Sequence, residues 1–350
     1  HVTKLSLRNT RLVVAAMEPR AAVAEYDPRD ERFTLHAQSQ GVFGMKGQLV
    51  DILGTKPEKV RVLTGHVGGS FGMKPPVYSE YICILHAAKL LGRPVKWTDD
   101  RSGAFVSDSH GRDHEVTAEL ALDKDGHFLA VRLSGFSNMG AFLAVVGPLP
   151  GTINAVKNTP GVYRTPLIEV SVKCVFTNTT QVSAYRGAGR PEGNYYMERL
   201  IDTAAAEMGI DRLELRRRNH IVPSQIPFAA SSGMNYDSGD FPALFAQALD
   251  GADLGGYAAR KHASEAQGKL RGLGVGSFLE VTAPPGKEMG GIRFEPNGDV
   301  TIVTGTLDDE TRAAILKFEL DFGLSMDGEL TRELLAALKV AEAARTASAQ

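Results

Sequence analysis

Two glycine-dense stretches set the tightest limit on how this chain can fold. The first, Gly65–His66–Val67–Gly68–Gly69–Ser70–Phe71–Gly72–Met73–Lys74, follows Lys59–Leu63, whose polar and apolar residues alternate as in a strand. The second is Ala184–Tyr185–Arg186–Gly187–Ala188–Gly189–Arg190–Pro191–Glu192–Gly193. Glycine at this density permits left-handed backbone and close approach, with N–H groups turned toward oxygen atoms. The first stretch fails as a phosphate loop, because no Gly-Lys-Ser/Thr follows, and it lacks the G-x-G-x-x-G spacing. The second sets Arg186 and Arg190 among its glycines, a composition that suits phosphate or carboxylate recognition. Its last glycine falls one residue too far for a dinucleotide fingerprint. Taken singly, each also reads as a tight turn with solvated charge.

The chain around them has three textures. Residues 1–75 read as short strands (Lys4–Leu7, Arg11–Val14, Phe33–Ala37 and Lys59–Leu63) with one helix, Val42–Leu53, stopped by Gly54. Residues 76–220 carry a helix at Tyr78–Leu91 with a Gly-then-Pro stop, and a hairpin at Glu115–Leu122 and His127–Leu133 turning through Asp123–Gly126. They end in helices at Tyr195–Met208 and, capped by Asp211, at Asp211–Asn219. Residues 221–306 resume after a Pro/Ser/Gly-rich passage with one or two helices. A strand at Gly272–Leu279 follows, then a hairpin of Gly291–Phe294 and Val300–Val303.

The texture then breaks. Residues 307–350 hold nine acidic and five basic residues and a helical pattern, so a boundary is expected between Thr306 and Leu307. Two tail helices are expected over 308–345, joined near Gly323–Ser325 or Asp327–Gly328. The chain carries a net charge of −2 and no long basic run, which argues against nucleic acid or an anionic membrane as partner. No run of 18 apolar residues spans a bilayer. Cys83 and Cys174 lie in apolar contexts that predict buried, unpaired thiols in a reducing compartment, hence a cytoplasmic chain. Two cysteines do not make an iron–sulfur cluster. His110 and His114 are four apart, but the central Gly111 and strand-like flanks favour a structural role over metal binding.

In order, Met17–Glu18–Pro19–Arg20–Ala21, Gln38–Ser39–Gln40–Gly41, Val67–Lys74, Ser109–His114, Ala184–Arg190, Asp211–Asn219 and Tyr236–Phe241 resemble the large, molybdopterin-binding subunit of the molybdenum hydroxylases. That group includes xanthine dehydrogenase, aldehyde oxidase and carbon monoxide dehydrogenase. The resemblance runs from about Val2 to Thr306. It implies an α+β fold, a mixed sheet packed by helices, forming the first half of the molybdopterin-binding region, with the tail unlike the family. It further implies a molybdenum–molybdopterin cofactor, as a cytosine dinucleotide in many bacterial members. The implied reaction is hydroxylation of an aldehyde or N-heterocycle with oxygen from water. Electrons would leave through partner chains: an iron–sulfur small subunit and an FAD-binding medium subunit.

Carried over residue by residue, Gln40 matches the glutamine at an oxo or sulfido ligand of the metal. Phe71 and Gly72 match the loop against its apical oxygen, and Gly69 belongs to the same cofactor-facing stretch. Arg186 matches a substrate-side arginine. Gly187 stands where copper-containing carbon monoxide dehydrogenases place cysteine, so a soft copper ligand is missing. Pro75 stands where xanthine-type members place a glutamate, which weakens a purine reading. Whole subunits of the family also have a smaller α/β domain ahead of the Met17–Ala21 segment, a Gly-Gln-Gly-His cofactor loop after the position of Thr306, and a later general-base glutamate. None has a counterpart in these residues. The alternative is therefore a truncated, non-catalytic fragment that acts, if at all, by association.

Overall fold

The computed structural model describes residues 1–280, 288–294 and 300–306. The α+β class expected from the sequence is present, but its strands divide between two separate four-stranded sheets rather than one.

The first sheet has the order β4-β3-β2-β5. β2 (Ala21–Asp27) pairs antiparallel with β3 (Arg32–Ala37) and with β5 (Val95–Thr98), while β3 runs parallel to β4 (Val60–Leu63). The β3–β4 crossover is α1 (Val42–Leu53), closed by Gly54 in left-handed geometry. With α2 (Ser79–Leu91) it covers the sheet, and Leu35, Met45, Leu49, Tyr81 and Leu85 fill the core between them. α3 (Arg101–Ser107) follows β5, N-capped by the Asp100 carboxylate, which accepts from the Gly103 N–H.

The second sheet has the order β1-β6-β7-β8. β1 (Val2–Asn9) pairs antiparallel with β6 (His114–Leu122). β6 turns through the expected Asp123–Gly126 hairpin into β7 (Phe128–Gly140), and β8 (Leu167–Phe176) lies parallel to β7. A π-helical turn at Pro150–Asn154 leads into the short α4 (Ala155–Asn158) within the β7–β8 crossover. α5 (Arg190–Met208) packs Tyr196, Leu200, Ile201 and Ala204 onto Leu120, Val131 and Leu133 of the sheet. α6 (Arg212–Asn219) begins at Asp211, whose carboxylate accepts from two backbone N–H groups as the sequence implied.

A small pair, β9 (Phe228–Ala229) and β10 (Asn235–Tyr236), is followed by α7 (Phe241–Gly251) and α8 (Tyr257–Glu265). The hairpin expected near the end is present, as β11 (Glu288–Phe294) antiparallel to β12 (Val300–Thr306). The expected tail helices over 308–345 lie outside the described residues.

Three local expectations are corrected. Arg11–Val14 makes only an isolated bridge, Leu12 to Gly111, instead of a strand. Gly272–Leu279 joins no ladder, because arginine side chains take its carbonyls: Arg212 donates to Leu273 and Arg216 to Val275. Cys83 and Cys174 are free but exposed. Cys83 falls on the solvent side of α2, where Tyr81, Ile84, Leu85 and Ala88 form the buried stripe. Cys174 sits on β8, the edge strand of its sheet.

Candidate functional site

Each sheet sends one glycine-dense loop to the same place. The loop after β4 carries Gly65–Lys74; the chain after β8 carries Ala184–Gly189. They meet backbone to backbone, with the Arg186 N–H donating to the Phe71 carbonyl at 3.0 Å. Gly72 has φ +97°, and a Cβ there would lie 2.7 Å from the Ala184 carbonyl oxygen. A side chain would therefore be both strained and in collision, so the close approach needs glycine. Phe71 adopts φ +52°, unusual for a bulky residue, and its ring lies 6.0 Å from the Arg186 guanidinium carbon.

Gln40, from the segment before α1, joins the two loops. Its Oε1 accepts from the Gly72 N–H at 2.8 Å and from the Ser70 hydroxyl at 2.7 Å. With Oε1 engaged twice, the Nε2 amide becomes the donor end of the side chain. The rest of the loop is pinned from Glu18, whose carboxylate accepts from the Gly68 N–H at 2.6 Å. The Glu18 carbonyl accepts from Nζ of the buried Lys74 at 2.9 Å. Burial lowers the Lys74 pKa, opposed by the Glu18 charge.

The opposite wall is held from beneath by a buried ion pair that sequence reasoning did not single out. Arg112 donates to the carbonyls of Tyr185 at 3.1 Å and Arg186 at 2.8 Å, and to the Glu192 carboxylate at 2.9 Å. The second Glu192 oxygen accepts from the Gly189 N–H at 2.8 Å, which starts α5 at Arg190, five residues ahead of the expected Tyr195. The signal was present: a proline in the first helical turn followed by glutamate at the third position marks a helix start. Burial pushes the Glu192 pKa up, and Arg112 opposes the shift.

Together these residues enclose a cavity of about 610 Å³. Gln40, Phe71, Gly72, Arg186 and Gly187 line it, with Pro75, Pro76, Val145 and Val146 as apolar wall. Of the residues singled out from sequence, five thus come together; Gly69 lies two residues back in the same loop and does not line the cavity. The walls offer donors to an oxygen-rich anionic group, in the Gln40 amide and the Arg186 guanidinium, around a cradle too tight for a Cβ.

The histidines of the Ser109–His114 segment face the protein. His110 contacts the Phe105 carbonyl at 3.0 Å and the Arg11 guanidinium at 3.2 Å; His114 is bonded to the Tyr196 hydroxyl at 2.9 Å. Burial, with the Arg112 charge adding, lowers the His114 pKa to about 4. The structural reading of this segment holds. Among the described residues no helix is long and apolar enough to cross a membrane.

Comparison with known proteins gives a consistent picture. Residues 1–220 match the model of the molybdopterin cofactor-binding domain. Residues 293–338 match that of a peptidoglycan binding domain, a range that crosses the boundary expected at 306/307. The gamma subunit of the 6-hydroxypseudooxynicotine dehydrogenase complex of Paenarthrobacter nicotinovorans is 34% identical, over 87% of this chain and 39% of that protein. The carbon monoxide dehydrogenase large chain of Hydrogenophaga pseudoflava is 32% identical, over 87% of this chain and 40% of that one. Quinoline 2-oxidoreductase from Pseudomonas putida 86 superposes with a TM-score of 0.76 at 25% identity, over 91% of this chain and 42% of that structure. The chain thus spans about two fifths of the length of the relatives it matches.

Proposed function

Because the chain belongs to the molybdopterin cofactor-binding family of molybdenum-hydroxylase large subunits, we propose that its cavity is one side of a molybdenum–molybdopterin site. Within a larger assembly it would serve the hydroxylation of an aldehyde or an N-heterocycle with oxygen from water. The observation that carries this reading is the convergence of Gln40, Phe71–Gly72 and Arg186–Gly187 on one cavity from two different sheets.

In this reading the Gln40 amide, set in place by the Gly72 N–H, would donate to an oxygen of the cofactor, with the Phe71–Gly72 loop as the wall beside it. Arg186 stands opposite, where a fixed positive charge steadies negative charge that develops on the substrate. The apolar residues Pro75, Pro76 and Val145 exclude water from the space between. The cofactor, when bound, supplies the redox and oxygen-transfer chemistry. Its nucleotide form is read as a cytosine dinucleotide, and an iron–sulfur small subunit and an FAD-binding medium subunit are the proposed electron-carrying partners. The cytoplasm is the proposed location. Copper-dependent carbon monoxide oxidation is disfavoured, since Gly187 offers no thiolate.

The alternative expected from the sequence is a non-catalytic module that acts by association. The two separate on metal content. Produced in a host that makes the cofactor, the chain should carry close to one molybdenum with a pterin nucleotide; a folded, metal-free protein would favour the module.

A further inference from the structure

The β1-β6-β7-β8 sheet ends at β8, and among the described residues no strand pairs with the outer side of it. Its ten residues make a long edge, none of them buried and none a proline that would blunt it. The solvent face of this sheet carries a row of alternating charge. Lys4 Nζ lies 3.1 Å from Oε1 of Glu119, Arg132 Nη1 lies 3.4 Å from its Oε2, and Arg132 Nε lies 2.8 Å from Oε2 of Glu169. These residues stand opposite one another in register, from β1 through β6 and β7 to β8. The row therefore ends at the open edge on a carboxylate, where a further strand would set a cation. Lys173 lies further along β8 on the same face. Its neighbour on β7 is the exposed Phe136, and it has no ion-pair partner among the described residues.

We propose that β8 is the docking edge for a second copy of this chain, paired antiparallel about Ser171, so that Glu169 of each copy faces Lys173 of the other. The same register sets Leu167 against Val175 of the second copy on the solvent face, and Val170 against Val172 on the other face. Apolar residues thus meet apolar ones, and each charge meets its opposite. Sliding the pair by two residues sets Glu169 against Ser171 or Val175, and Lys173 against Leu167 or Ser171. Sliding it by four sets Glu169 against itself or Lys173 against itself, which like charges disfavour. Charge therefore selects one register. The contact is the same seen from either copy, so it uses both open edges and closes as a dimer instead of growing into a fibre. It does not depend on what the cavity binds.

The test is analytical ultracentrifugation of the full chain over a range of concentrations, with charge reversals checked for folding by thermal melting. The mass of the unsubstituted chain should rise with concentration from that of one copy to that of two. Glu169→Lys and Lys173→Glu each bring like charges face to face at both pairs, so each alone should dimerise about tenfold more weakly or worse. Mixed in equal amounts, the two variants face opposite charges again, and the mixture should recover to within about threefold of the unsubstituted chain. Glu169→Lys also loses its Arg132 contact, which mixing does not repair, so the recovery reads the contact between copies. Lys173→Glu breaks no ion pair among the described residues and carries the test if the other variant fails to fold. A chain that stays monomeric up to roughly 100 µM overturns the proposal. So does a dimer that the reversals leave unchanged, or a loss that mixing does not restore.

Discussion

The two sheets hold their loops to the cavity by different means. The Phe71 loop, leaving the β4-β3-β2-β5 sheet, is pinned by Gln40 and Glu18, both open to solvent, and by one buried lysine. The Arg186 loop, leaving the β1-β6-β7-β8 sheet, rests on Arg112 and Glu192, both buried. Solvent competes for the first set of bonds, so each is worth about 1 kcal/mol net, and the loop can shift without unfolding its sheet. A buried ion pair is different: losing one partner strands the other charge. One wall is therefore expected to be the more adjustable of the two, and the other the fixed template.

Breaking the template should have the largest effect. Glu192→Ala leaves the Arg112 guanidinium buried beside two carbonyls and frees the start of α5, so denaturant unfolding should show a loss of about 3–5 kcal/mol. A loss within about 1 kcal/mol, the range of an exposed bond, would erase the contrast between the walls.

Acid should attack the same side next. Folded His114 has its pKa lowered from 6.5 to about 4 by burial and by Arg112, so on acidification the unfolded chain takes up the proton first. Stability is therefore complete above about pH 6.5 and is lost as the pH falls toward 4, by about 3 kcal/mol for this group. His220, buried by Tyr163 and Phe245 and likewise lowered to about 4, adds a similar loss. His114→Gln should thus flatten the stability curve between pH 6.5 and 4 without abolishing its slope. An unchanged slope would mean that His114 is solvated.

On the adjustable wall, Gly72→Ala should cost about 1–3 kcal/mol, the range for a strained backbone position, because the loop can retreat from Ala184. If the loop retreats, resistance to proteolysis should fall at residues 65–74 and hold at 184–193. The smallest change is Gln40→Ala, at about 1 kcal/mol in thermal melting. The proposed function still requires this variant to lose molybdenum, and full occupancy in it would remove Gln40 from the cofactor's surroundings.

Much of this architecture was readable from local pattern. Alternation marked β3, β4, β6 and β7; helical spacing with a following glycine marked α1 and α2; and the Asp123–Gly126 turn fixed the β6–β7 hairpin. The loop glycines announced close backbone approach, and the order of the motifs gave the family. What failed locally did so for non-local reasons. Cys83 sits among apolar residues in sequence, yet only the packing of α2 on its sheet decides which face is buried. Gly272–Leu279 has the composition of a strand, but arginines from α6 occupy its carbonyls.

The sequence by itself determined the elements, because helix spacing, strand alternation and turn residues act over a few neighbours. It also determined which residue types could meet an anionic cofactor, since that follows from the donors they carry. Only the tertiary structure decided that the Phe71 and Arg186 loops meet at one cavity, and that Arg112 and Glu192 hold the Arg186 side of it. Those contacts join residues about a hundred positions apart in several cases, where loop closure carries no local signature and depends on how the sheets pack.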